Sequence, residues 1–232
     1  MNTLSRRSLL GLLALPAACT IEPLAPLRRQ VLAAPAGIPV VRPAALGQRW
    51  TYQKRNPYNS NLLATEEEEV VSVSPRIVLR RRNGEQTLPD EVHSLWGQQL
   101  RDTAWDMVQN YETALPLWPA DLRVGAAQNW DAHYTLDNNS FRFAISAQSR
   151  VMAWEKLVLP AGEFNTLRIE KFIRIQHADF SRLETIRRDT IWLAPEIGRW
   201  VARETSGEYR GSGRRGSMMR EDSFRWELTA WR

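Results

Sequence analysis

From Gly47 onward the chain alternates between apolar and polar residues with a period of two. Trp130, Ala132, Tyr134 and Leu136 share one face while Asp131, His133 and Thr135 share the other. Phe141, Phe143 and Ile145 repeat the pattern against Arg142 and Ser146, and Phe224, Trp226 and Leu228 repeat it against Arg225, Glu227 and Thr229. Such alternation is the mark of antiparallel strands with one buried face. Turn signals separate the runs at short intervals: Asn83-Gly84, Asn138-Asn139, Pro160-Ala161-Gly162, and Pro195 to Gly198. No helical period of ten residues interrupts the series; only Val92 to Tyr111 reads as a short helix or an irregular loop. The fold class expected is mainly β, an antiparallel meander curled into a barrel, half-barrel or sandwich, with at most one or two short helices.

One hairpin is written out in full. Pro160 stops the first strand, Gly162 lets the backbone turn, and Leu167, Ile169, Ile173 and Ile175 share a face on the return, where only Lys171 is out of character. Arg168 and Glu170 lie opposite, close enough for an exposed ion pair that contributes about 0.2 to 1 kcal/mol. The apolar face therefore carries the hairpin.

The first 46 residues differ. Arg6 and Arg7 precede a short apolar run from Ser8 to Ala18, which is too short to cross a bilayer and reads as a bacterial export signal. Leu15-Pro16-Ala17-Ala18-Cys19 resembles a lipobox, with Pro16 in a position that normally holds Leu, so residues 1–18 are expected to be cut before Cys19 and Cys19 to be lipidated. The competing reading is ordinary signal-peptidase cleavage without an anchor. Ser5 to Leu10 also resembles a twin-arginine signal, so export by either route stays open. Thr20 rather than Asp after Cys19 points, by resemblance to bacterial lipoproteins, to the outer membrane facing the periplasm, with a soluble periplasmic protein as the alternative. Residues 19–46 carry five prolines among Ala and Leu and read as a tether, with Leu24, Leu27 and Val31 at the spacing of one short helix. Residues 47–232 form a single antiparallel β domain.

Composition changes this picture little. The formal charge of +5 is modest, and arginines dispersed beside Glu and Asp form no basic stripe, so nucleic acid is not an expected partner. A lone cysteine forbids an internal disulfide. Ten tryptophans, each with a large apolar area and an N–H that needs a partner, are the unusual quantity.

Four stretches together resemble uncharacterised exported bacterial proteins of the TapB-like and domain-of-unknown-function type: Gly47 to Tyr52, Leu115 to Trp130, Pro160 to Ile169, and Trp192 to Val201. The resemblance implies an antiparallel β domain in the cell envelope and brings no catalytic residues. A looser analogy, at the level of fold, is to lipoprotein carriers of the LolA and LolB type, in which a curved sheet shelters an acyl chain.

No catalytic motif, cofactor fingerprint or metal-ligand spacing stands out, and His93, His133 and His177 lie far apart. Glu66 to Glu69 read as a solvated hairpin end, since neighbouring glutamates on a strand point to opposite faces. The expected function is a non-enzymatic envelope lipoprotein without cofactor, held to the membrane by an N-terminal lipid, binding an apolar ligand, a glycan or a partner protein on a curved sheet lined by Trp50, Trp130, Trp154, Trp192, Trp200 and Trp226. The alternatives are a structural or assembly component of a secretion or surface system and a hydrolase of envelope polymers.

Overall fold

The structure is a computed structural model that describes residues 22–213 and 216–232. The export signal and Cys19 lie outside the described residues. Fourteen strands and no helix occur among the described residues: β1 (Arg28–Leu32), β2 (Arg49–Arg55), β3 (Leu62–Ser72), β4 (Ile77–Asn83), β5 (Gln86–Leu95), β6 (Gln98–Asp102), β7 (Gln109–Pro116), β8 (Ala127–Leu136), β9 (Asn139–Leu159), β10 (Gly162–Ile175), β11 (Arg182–Ala194), β12 (Arg199–Gly211), β13 (Met218–Arg220) and β14 (Phe224–Trp231).

Twelve of them close into an antiparallel barrel in the order β9-β10-β11-β12-β14-β2-β3-β4-β5-β6-β7-β8, with β8 paired back onto β9. Of the three shapes that the sequence left open, the closed barrel is the one formed. Closure removes the sheet edges that a half-barrel would expose. The 21-residue β9 supplies it: residues 139–150 pair with β8, and residues 154–158 pair along the same edge with β1. The remaining extra strand, β13, pairs with β12.

Val92 to Tyr111 holds the end of β5, all of β6 and the start of β7 rather than a helix. Register shifts within the β5–β6 and β6–β7 pairs break the alternation there, which is why period two fails in that stretch.

The Pro-rich stretch is laid against the barrel from Glu22 onward. Arg28 to Leu32 is a strand, not a short helix, because β9 offers a free edge there. The Leu24 amide donates to the Pro57 carbonyl and the Arg42 amide to that of Pro195. On the outer wall, buried Glu155 accepts hydrogen bonds from Arg29 (3.0 Å), Arg168 (3.2 Å) and the Trp192 indole (2.9 Å), while Arg225 donates to the Ala25 carbonyl.

Two apolar clusters fill much of the interior. The larger includes Trp50, Val70, Leu79, Ile169, Ile191, Trp200 and Leu228, and the smaller Tyr134, Phe143, Ile145, Ile173 and Ile175. Each fully buried side chain of this size is worth about 1.5–3 kcal/mol.

Candidate functional site

The lumen holds ions as well as apolar side chains. Arg199, fully buried at the start of β12, reaches across the barrel: Nε and Nη2 donate to one oxygen of Glu68 on β3 at 3.0 and 2.8 Å, and Nη1 and Nη2 donate to Glu91 on β5 at 3.0 Å each. Arg203, four residues further along β12, binds Asp189 through two bonds of 2.9 Å, and Lys171 approaches the same carboxylate at 3.1 Å. Arg81 on β4 donates to Glu66 at 2.7 Å. His93 Nε2 lies 2.6 Å from Glu91.

The electrostatics follow from this packing. Burial pushes Glu68 up, with Arg199 pulling in the opposite direction. Glu91 is pushed up by burial too, but Arg199 and His93 more than offset this and hold its carboxyl well below the usual range. Asp189 ends low for the same reason, through Arg203 and Lys171. The interior thus carries matched charges rather than a greasy cavity for an acyl chain.

At the end of the barrel that carries the β2–β3 and β10–β11 turns, a second polar group closes the mouth. Arg187 donates to Asp106 (2.7 Å) and to both oxygens of Glu221 (2.7 and 2.9 Å), and Arg182 donates to the same two residues at 3.1 Å. His177 accepts from the Asp179 amide at Nδ1, which leaves Nε2 to donate to Asp106 at 3.3 Å. Ligand atoms of Asp106, His177 and Glu221 lie within 4.8 Å of one another, the spacing of a cation site. Two guanidinium groups already neutralise both carboxylates, so the trio is built as an ion-pair cluster.

The outer wall carries a long hollow. β8 to β11 set their outward residues in rows across the strands: Asp131, Ser146, Arg174 and Ile186 form one, and Asn129, Gln148, Phe172 and Arg188 the next. Adjoining hollows of about 690, 380 and 460 Å³ follow these rows and share Asp131, Ser146, Arg174, Gln148 and Phe172 as lining. Phe172 is flanked by the guanidinium groups of Arg174 at 5.6 Å and Arg188 at 5.5 Å from its ring centre. Arg150 lines the same groove beside them. None of these three arginines is ion-paired among the described residues. His133 lines the hollow of about 690 Å³, whereas Trp130, between Asn129 and Asp131 on β8, faces inward and packs half-buried on the smaller cluster.

The six tryptophans do not line one face. Trp50 and Trp200 are buried in the lumen with Trp96, their rings 5.1–6.0 Å from the Arg199 guanidinium, where they enclose a cation rather than a ligand. Trp226 is buried and donates to Glu66 at 3.3 Å. Trp192 is buried on the outer wall against Glu155, and Trp154 packs half-buried on the larger cluster. Trp130 packs on the smaller cluster, on the face of β8 opposite the groove's outward rows.

Glu66 to Glu69 depart from the expected solvated end. They sit in the middle of β3, and although they do alternate, Glu66 and Glu68 are buried in the lumen because arginines from β4 and β12 meet them. Sequence reasoning missed Arg81, Arg187, Arg199 and Arg203 altogether. The available signal was phase: Glu66 and Glu68 keep step with Val70, as Lys171 does with Ile169 and Ile173.

No family model matches the chain, and no curated protein does. Solved structures do match. A proposed lipoprotein of Parabacteroides distasonis superposes with a TM-score of 0.53 at 13% identity, over 84% of this chain and 100% of that one. A proposed exported protein of Bacteroides fragilis, with a YmcC-like fold, gives 0.52 at 15% identity over 84% and 99%. The hypothetical lipoprotein YmcC of Escherichia coli gives 0.46 at 11% over 81% and 89%. At such identities the likeness to the first two is one of fold. The resemblance to exported β proteins is met at that level, and the TapB-like name finds no support among these structures.

Proposed function

We propose that the chain is a non-enzymatic envelope protein, exported and held at the outer membrane by a lipid on Cys19, that binds an extended glycan along the outer groove of β8 to β11. The observation that carries the binding reading is the row containing Asn129, Gln148, Phe172 and Arg188: amides, an aromatic plate and a guanidinium in line across four strands. Sugars present hydroxyls to amides and C–H faces to rings, and the unpaired Arg150, Arg174 and Arg188 favour a glycan that carries acidic groups. An acyl ligand fits less well, because the lumen that would shelter it is crossed by Arg199 and its two carboxylates. Export and lipidation are supported by the sequence before Cys19 and by the names of the proteins that share the fold.

The test is calorimetric titration with oligogalacturonate and with neutral maltodextrin. Oligogalacturonate is expected to bind, and Phe172→Ala to weaken it about tenfold, the loss of one aromatic contact of ~1.4 kcal/mol. Absence of binding by both probes, or affinity indifferent to Phe172→Ala, rejects the groove.

A further inference from the structure

We infer that the barrel stands on a lipid surface by one end, the rim formed by the β2–β3 turn, the β8–β9 turn, the β10–β11 loop and β13. In the antiparallel order of the strands all four lie at the same end of the barrel.

The path of the chain selects this end. Ser60 Oγ donates to the Glu22 carbonyl at 2.8 Å, and the Leu24 amide donates to the Pro57 carbonyl at 2.9 Å, so Glu22 is tied to the β2–β3 turn. Cys19 precedes it by three residues, a reach of at most about 11 Å even when fully extended. The opposite end is out of range: the 13 residues of β11 run about 43 Å along the strand, or roughly 30 Å along the axis at the tilt usual in barrels. A lipid on Cys19 therefore brings the bilayer to this rim.

The rim's composition agrees. Phe180 is 72% exposed on the β10–β11 loop, Phe141 69% beside the β8–β9 turn, Met218 58% on β13 and Tyr58 51% on the β2–β3 turn. Large apolar and aromatic side chains at turn tips gain nothing in water, and at a headgroup boundary they gain burial. The opposite end also exposes aliphatic side chains, such as Leu95 and Val73, but the anchor cannot bring lipid to them. On this orientation the glycan groove rises from the membrane side, its His133 end nearest the lipid.

This inference rests on the lipid anchor proposed above, and one experiment separates the two. Full-length protein purified from membranes, carrying either Phe180→Cys or Glu196→Cys labelled with an environment-sensitive dye, is reconstituted into vesicles of phosphatidylethanolamine and phosphatidylglycerol containing doxyl lipid. Dye at F180C is expected to shift to the blue and be quenched by the doxyl lipid, while dye at E196C, in the β11–β12 turn, keeps its aqueous spectrum. Acylated protein that leaves F180C in water, or that quenches E196C instead, overturns the orientation alone. Mass spectrometry showing an unacylated Cys19 overturns the anchor and the orientation with it.

Discussion

Arg199 and Glu68 meet across the lumen although 131 residues separate them, with two guanidinium nitrogens on a single carboxylate oxygen at 3.0 and 2.8 Å. The pair is wholly buried, and Glu91 shares the same guanidinium. Charges taken from water into a closed barrel cost several kcal/mol each, and their mutual attraction roughly offsets that cost. Such a network contributes little net stability while intact and is expensive to break. Arg199→Met leaves Glu91 with only His93 beside it and Glu68 with only Arg81 Nε at 3.7 Å, and is expected to cost roughly 3–5 kcal/mol, read as a lower urea midpoint. Adding Glu68→Gln and Glu91→Gln to the same variant removes the stranded charge and should recover part of the loss. An unchanged midpoint for R199M would show that the guanidinium is not holding the lumen together.

Acid should unfold the protein through the same groups. The carboxyls of Asp189 and Glu91 are held low in the folded barrel, so the unfolded chain binds protons more readily at these two sites. Their contribution is therefore present above the unfolded carboxylate range, about pH 4, and is lost as pH falls from there through the folded values. Glu68 works against this trend: burial raises it, the folded state takes up its proton first, and the upper part of the transition is softened. Urea midpoints should be nearly level down to about pH 5 and fall steeply below about pH 4. Asp189→Asn should flatten part of that fall, and an identical slope in the variant would remove Asp189 from the account.

Period-two alternation identified the strands that hold Trp130 to Leu136 and Phe224 to Leu228, and the Asn83-Gly84 and Pro160-Ala161-Gly162 turns marked the β4–β5 and β9–β10 hairpins. It tells which residues share a face but not whether that face is dry. Glu66 and Glu68 are in phase with Val70, yet a charged residue on a strand is ordinarily solvated. What makes them interior is a counter-charge on a partner strand: Arg81 of the neighbouring β4 for Glu66, and for Glu68 Arg199 of β12, a contact across 131 residues that local pattern cannot contain. Lys171 was the one visible exception, and its partner Asp189 emerged only with the β10–β11 register. The groove was illegible for a related reason. Its rows arise from pairing across four strands, so Asn129 and Arg188 become neighbours of Phe172's row without any proximity in sequence. The backbone before Gly47 satisfies itself on the edges and turns of the barrel, contacts that the density of prolines there could not reveal.

Gly207 on β12 and Glu221 provide the last test, at the mouth of the barrel. A Cβ built on Gly207 would lie 2.1 Å from a Glu221 carboxylate oxygen, so the missing side chain is what admits the carboxylate. That oxygen accepts from Arg187 Nε at 2.7 Å, and the Glu221 amide donates to the Gly207 carbonyl at 2.9 Å. Gly207→Ala must therefore push the Glu221 side chain away from Arg187, which is 1% exposed and keeps Asp106 as its remaining anionic partner. The alanine methyl itself is small, and its effect acts through the displaced ion pair. The expected loss is about 1–3 kcal/mol, the cost of a buried charge-assisted bond left unmade. Hydrogen exchange should show faster opening of β12 and β13 and leave β2 to β5 unchanged. Glu221→Gln in the wild-type background should reproduce most of the loss, and in the G207A background it should add little, since the interaction it removes is already gone. Fully additive effects of the two substitutions would mean that Gly207 matters for some reason other than the room it gives to Glu221.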